Sequence, residues 1–296
     1  MQKINQNLCI DVLDFKPRHL CMPDSWIGHT PFAYQLVKNI RPHLLVELGT
    51  HYGLSYFTFC QSIKENNLSC KAYAVDTWMG EKHAGVYDES VYNFVSEYNA
   101  KNYSEFSYLL KSTFDDALRQ FSDSSIDILH IDGLHTYESV KHDFETWYPK
   151  VRDGGVILFH DISCRHEDFG VWKLWEEIVK DNKNTFSFNH SWGLGVLIKS
   201  ELNSSETFLR QFLHNDDSDF WVNVFTFAGS NLRDQFIYTE NKRDLEQNLN
   251  SRSKQIAERD ARIAESDIRI KGLKRAIASI KNSLIWRLIV LRGRDT

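Results

Sequence analysis

The chain has 296 residues, 42% of them hydrophobic and 13% aromatic, more than one core of ordinary size needs, which predicts a body of about 200 residues plus an appendage. Its net charge of -5 conceals an asymmetry: from Asn241 onward there are 14 Lys/Arg against 7 Asp/Glu, and before it 21 against 33. An acidic body argues against nucleic acid as its substrate, while a basic tail suits an anionic surface. The five cysteines, Cys9, Cys21, Cys60, Cys70 and Cys164, are odd in number and form no CxxC pair, which suggests neither a disulfide framework nor a zinc site. With no bilayer-length apolar run and no basic n-region ahead of an h-region, the expected location is cytoplasmic, peripheral at the inner membrane face if the tail binds lipid.

The first chemical signal lies at residues 44 to 64. Leu44 to Leu48 is a short apolar run closed by Gly49, and apolar residues return at helical spacing from Leu54, so strand, tight loop and helix follow in order. In the loop Glu47-Leu48-Gly49-Thr50-His51-Tyr52-Gly53, an acid replaces the first glycine of a pyrophosphate-binding turn. Gly49 and Gly53 admit a ligand to the backbone, and the carboxylate favours a cationic one. S-adenosylmethionine, with its sulfonium and ammonium, meets that requirement, with Thr50 and Ser55 alongside. The next strand, 71 to 75, ends at Asp76-Thr77-Trp78. Asp76 is placed to accept ribose hydroxyls, and Trp78 to stack on adenine.

Further strands are expected at 126 to 131, 156 to 159 and 193 to 198, with a helix from Thr136 to Trp147 and punctuation at Pro149 and Gly154-Gly155. This alternation predicts an α/β, Rossmann-like, doubly wound and mostly parallel sheet over residues 1–200, with ligands at the carboxyl ends of the strands. Two strand ends there are strongly polar: His130-Ile131-Asp132-Gly133-Leu134-His135 and Phe159-His160-Asp161. Asp132 and Asp161 can share a divalent cation such as Mg²⁺, and His135 can act as general base toward a hydroxyl. His130 and His160 are equally at home in the sheet.

Residues 201–240 read as an aromatic helical connector. Beyond it, Leu249, Ile256, Ile263, Ile270, Ile277 and Leu284 recur every seven residues, with Leu245, Arg252, Arg259, Ser266, Leu273 and Ile280 at the companion positions. Residues 241–284 therefore predict a coiled coil between identical chains, the alternative being one long helix laid on the body. Residues 285–296 form a basic, amphipathic tail for a membrane surface or for closing the coil.

Taken together these motifs resemble class I S-adenosylmethionine-dependent methyltransferases (methyltransferase domain 24-like) found in bacterial polysaccharide and glycosyltransferase contexts. The likeness spans residues 20 to 200 and includes Trp26 to Ala33, Val46 to Gly53, Asp132 to Tyr137, Trp147-Tyr148-Pro149, His160-Asp161 and Gly170 to Trp175. It implies cofactor binding by Glu47, Gly49, Gly53 and Asp76, with Ser112 and Thr113 near the adenine. It places Asp132, His135 and Asp161 at the acceptor, with His29 and His160 as substrate contacts. Metal-dependent relatives carry a further acid or amide after the second strand-end Asp, where this chain has Ile162; His160 is the candidate substitute. The ending Ser283 to Leu288 is similar to one found after coiled coils in polysaccharide-assembly proteins. The implied reaction is O-methylation of a sugar hydroxyl in a surface glycan, with glycosyltransferases as partners. Methylation of a glycosylated small molecule and a non-catalytic scaffold are the competing readings.

Overall fold

The computed structural model describes residues 6–83, 85–166, 168–201, 207–213, 218–283 and 288–291. Its strands are β1 (Leu44–Leu48), β2 (Lys71–Asp76), β3 (Gly80–Glu81), β4 (Gly85–Val86), β5 (Ser107–Lys111), β6 (Ile126–Ile131), β7 (Val151–His160), β8 (Thr185–Phe188) and β9 (Leu194–Ile198). The α-helices are α1 (Gln6–Leu13), α2 (Thr30–Ile40), α3 (Leu54–Glu65), α4 (Glu89–Asn102), α5 (Phe114–Ala117), α6 (Tyr137–Trp147), α7 (Val171–Asp181), α8 (Thr207–Arg210) and α9 (Ser218–Asn282).

Seven strands form one sheet in the order β5-β2-β1-β6-β7-β9-β8, parallel through β7 and antiparallel at β9 and β8. The expected doubly wound sheet is present. The order reverses beside β1, where crevices open at the carboxyl ends of the strands. The central strands β1 and β6 read as continuous apolar runs because helices cover both faces. One face buries Phe32, Leu36, Phe57, Phe59, Ala74 and Leu158, and the other buries Val46, Leu48, Leu129, Trp147, Ile157 and Phe159.

Four strands escaped the sequence reading: the two-residue strands β3 and β4, which pair as a separate hairpin, and β5 and β8, which lie at the edges of the main sheet. β5 and β8 each bury one terminal residue fully and leave the rest partly exposed, so their apolar signal is weak.

The chain divides into two units, Met1–Phe236 and Ile237–Thr296. The body therefore extends beyond the expected boundary at residue 200. The reason is an aromatic cluster: Phe208, Phe212 and Phe225 close on Phe32, with ring centroids 5.6 to 6.2 Å away. At Gly229 the start of α9 comes so near Gly28 that a Cβ would lie 1.7 Å from its carbonyl oxygen.

The second unit contains the remainder of α9, which is helical to Asn282. Leu245, Leu249, Ile256, Ile263, Ile270, Leu273, Ile277 and Ile280 are all exposed on it. Leu284 to Arg287 and residues 292–296, which carry much of the expected tail, lie outside the described residues. Among the described residues no helix is long and apolar enough to cross a membrane.

Candidate active site

The β1–α3 loop is held by Asp76. Its Oδ2 accepts from the Thr50 and His51 amides at 2.8 and 3.0 Å, and its Oδ1 accepts from the Trp78 amide at 2.7 Å. One carboxylate thus ties the end of β2 to the turn after β1. Gly49 has φ of 86°, and a Cβ there would lie 2.0 Å from the carbonyl oxygen of Asp132. No side chain fits, which brings the β1 and β6 loops into direct backbone contact.

Beneath the loop, Glu47 and His130 are paired with no exposed surface, His130 Nδ1 lying 2.8 Å from Glu47 Oε2. The Trp26 indole, which can only donate, reaches His130 Nε2 at 3.3 Å. Nε2 is therefore the acceptor, and Nδ1 carries the proton given to Glu47. Burial pushes the Glu47 carboxyl up from its ordinary range, against the pull of His130.

The two polar strand ends meet as the sequence suggested. His135 Nε2 lies 2.8 Å from Asp161 Oδ2 and 3.6 Å from Asp132 Oδ1. His160 Nδ1 is 3.3 Å from an oxygen of each acid, and its Nε2 donates to the Ser191 carbonyl at 3.2 Å. Asp161 adopts φ of 61°, a conformation costly for a non-glycine residue and one that turns its carboxylate toward His135. Burial would lower the His135 pKa, but hydrogen bonds and charge from Asp132 and Asp161 outweigh it and push it up to about 9. The same acids hold His160 well above its ordinary value despite burial. In turn the histidines pull both carboxyls below their usual range, overcoming desolvation.

One cavity of about 1010 Å³ joins these features across the strand ends. Of the expected cofactor residues, Gly49, Thr50, Asp76, Thr77, Thr113 and Asp132 line it; of the expected acceptor residues, His135, His160 and Asp161 do. Several expectations need correction. Glu47 faces His130 and does not reach the cavity, so its charge fixes the sheet beneath the loop. Trp78 is 2% exposed and spends its indole N–H on the His51 carbonyl, so its ring is committed to the core and not to a base. His29 is wholly buried against the Ser191 carbonyl, away from a substrate. Gly53 starts α3 over the Phe57 ring, Ser55 is buried, and Ser112 turns its hydroxyl to the Thr113 carbonyl; none of the three lines the cavity.

The cavity also has walls that sequence reasoning missed. His83, on the β3–β4 hairpin, packs on Phe169 at 4.4 Å and pairs with Asp168 at 2.6 Å. Phe169 stacks on His135 with centroids 4.8 Å apart. Trp192 and Phe114 complete two further walls. These come from short loops and, for Phe114, from the one-turn helix α5, all without periodicity, so only a paired His-Asp or an isolated aromatic could have signalled them.

Residues 46–162 match the family model described as a methyltransferase domain. The matched segment contains the Gly49 loop, Asp76 and the whole Asp132–His135–Asp161 cluster. Two uncharacterized proteins are similar to this chain: one of Sinorhizobium fredii, 47% identical over 60% of this chain and 20% of its own length, and one of Acanthamoeba polyphaga mimivirus, 32% identical over 46% and 59%. This chain thus spans about a fifth of the first and somewhat over half of the second. Among solved structures, the Bacillus cereus O-methyltransferase in complex with SAH is 16% identical over 66% of this chain and 88% of that one, with a TM-score of 0.44. The Streptomyces achromogenes O-methyltransferase of tomaymycin synthesis, in complex with SAM, is 12% identical over 65% and 90%, with a TM-score of 0.44.

The oxygen and nitrogen atoms of Asp132, Asp161 and His135 that face one another lie within 4.8 Å. Two carboxylates and an imidazole form a donor set suited to a divalent cation. Ile162, at the position of the further ligand in metal-dependent relatives, is an apolar, buried side chain.

Proposed function

We propose that this chain is an S-adenosylmethionine-dependent O-methyltransferase. One observation carries the reading: a single cavity has a glycine loop tied to a strand-end acid at one part and an acid–histidine cluster at another, all within the segment that matches the methyltransferase-domain model. The first part suits a nucleoside with a cationic sulfur, and the second suits a hydroxyl acceptor. Methyl transfer is a displacement in which the acceptor oxygen bonds to the methyl carbon while the C–S bond breaks. The sulfur leaves with the electron pair as a neutral thioether, and the hydroxyl proton passes to a base. Holding donor and acceptor in line supplies much of the acceleration.

Within the chain, Asp132 and Asp161 are ionised acceptors that orient the hydroxyl, and His135 is the base. Because its pKa is about 9, His135 reaches its accepting form only toward alkaline pH. A divalent cation held by Asp132, Asp161 and His135 would stabilise an alkoxide, and His135 would then serve as a ligand in place of the base; His160, between the acids, is placed to hold them when no cation is bound.

The acceptor we assign is a sugar hydroxyl of a surface glycan or its precursor. The support is the aromatic and imidazole lining provided by Trp192, Phe169 and His83, which offers flat faces to a sugar ring, together with the basic C-terminal region. A second copy of the chain is the assigned partner of α9, and the inner membrane face the assigned location, with glycan-assembly glycosyltransferases nearby.

The reading is tested by titration calorimetry with S-adenosylhomocysteine. The expected result is binding by the wild type and its loss in Asp76→Ala, which releases the Thr50 and His51 amides of the loop together with the Trp78 amide. No binding by the wild type would overturn the cofactor. Mass spectrometry of host surface glycan with and without the protein tests the acceptor, through the mass of one methylene group.

A further inference from the structure

Asp143 is a buried acid that the reaction above does not use. It stands on α6, is 7% exposed and lines the cavity. No described residue donates a hydrogen bond to its carboxyl; the bond recorded at this residue uses its main-chain oxygen, toward Thr146. A buried carboxyl opening on a cavity without a partner carries a desolvation cost that a ligand can offset.

Its surroundings indicate which part of a ligand arrives there. The sheet order places the ends of β7 and β6, with Asp161 and Asp132, on one side of β1, and the ends of β2 and β5 on the other. A cofactor whose methyl group faces the acid–histidine cluster and whose ribose meets Asp76 extends its base toward β5. The wall there is Thr113 and Phe114, with Phe114 packed so closely on Gly133 that a Cβ would lie 2.5 Å from the ring. The same Cβ would be 3.6 Å from Asp143 Oδ2. The Phe114 ring and the Asp143 carboxyl thus meet on the same side of Gly133, and both line the cavity, an aromatic wall beside a polar group that suits a flat base with a polar edge.

Resting on the cofactor reading above, we propose that the Asp143 carboxyl recognises the amino-pyrimidine edge of the cofactor's adenine and makes cofactor affinity depend on pH. That edge presents a donor, the exocyclic amine, beside an acceptor, the ring N1. A carboxylic acid presents the complementary pair, its carbonyl accepting from the amine and its O–H donating to N1. A carboxylate keeps the first bond and sets a negative oxygen against the N1 lone pair. Burial pushes this carboxyl up to about 7, the nearby charge of His142 working against it and that of Asp115 with it. The charged groups acting on it are His142 of α6 and Asp115 of α5, which are paired with each other at 2.8 Å. The acid form thus prevails below about pH 7 and gives way above it.

The experiment is calorimetry of the full chain with S-adenosylhomocysteine at pH 6 and pH 8.5. Wild type is expected to bind about tenfold more weakly at the higher pH, the scale of one hydrogen bond lost. Asp143→Asn, whose amide offers a permanent donor and acceptor in the same shape, removes the pH dependence; Asp143→Leu weakens binding about tenfold or more at pH 6. With the 1-deaza analogue, which lacks N1, wild type loses its pH dependence. Equal affinities at both pH values in wild type, or a pH dependence that persists in Asp143→Asn, overturn the proposal while leaving the cofactor in place. If wild type binds S-adenosylhomocysteine at neither pH, the cofactor reading fails and takes this inference with it.

Discussion

His130 Nδ1 donates to the Glu47 carboxylate at 2.8 Å where neither side chain has exposed surface. The pair joins neighbouring central strands below the cofactor loop, at the register Glu47 to His130. Its two partners are not equivalent. Removing His130 leaves a charged carboxylate buried, whereas removing Glu47 leaves a neutral N–H without an acceptor. His130→Ala should therefore cost about 3–5 kcal/mol and Glu47→Ala about 1–3 kcal/mol. Urea denaturation of both variants checks this, and the opposite order would refute the assigned tautomer.

That pairing also shows why the site was only partly legible. The sequence carries the loop, the strand-end acids and His135 because strand ends are announced by apolar runs breaking at Gly or Asp. It does not say which way a strand residue points. Glu47 and Gly49 are two apart in one motif, yet one faces the interior and the other the cavity. Trp78 misled for a similar reason: its neighbours Asp76 and Thr77 line the cavity, while its positive φ of 50° turns its ring into the core. Asp143, on a helix, has no motif at all, and only the fold shows that it lines the cavity.

Two glycines of opposite circumstance give a paired prediction. At Gly49 a Cβ would collide with the Asp132 carbonyl, and φ is 86°; Gly49→Ala should abolish binding of S-adenosylhomocysteine and lower the melting temperature. Gly272 lies within α9 with nothing within 4 Å of an added Cβ. Gly272→Ala should stabilise that helix by about 1 kcal/mol, since alanine loses less backbone entropy there. Thermal melts followed by circular dichroism distinguish the two.

His135 supplies a prediction in pH. Its folded pKa, about 9, lies above the ordinary histidine value of 6.5 because two carboxylates favour the cation. A raised histidine pKa contributes stability that is full below the unfolded value and is lost as pH climbs through the folded one. The metal-free protein should thus lose stability between about pH 6.5 and pH 9. Proton NMR should show the His135 ring titrating near the upper limit in wild type and closer to 6.5 in Asp161→Asn. A ring already neutral at pH 7 would remove the cluster as the source of its basicity.

The exposed stripe on α9 gives the last prediction. A helix from Ser218 to Asn282 whose apolar side chains recur every seven residues and remain about half exposed has a seam without a cover. With Leu249, Ile256, Ile263, Ile270 and Ile277 at one core position and Leu245, Leu273 and Ile280 at the other, the column rich in β-branched residues favours two parallel strands. In-register pairing stacks the wholly apolar layers from Ile270 to Ile280 on themselves. The like-charged layers of Arg252 and Arg259 weaken the N-terminal part, so association should depend on the C-terminal part. Sedimentation equilibrium should give twice the chain mass of 34.7 kDa. Ile270→Asp combined with Ile277→Asp should restore the single mass without changing affinity for S-adenosylhomocysteine. A wild type that sediments as one chain at all concentrations would remove the second copy as the occupant of the stripe.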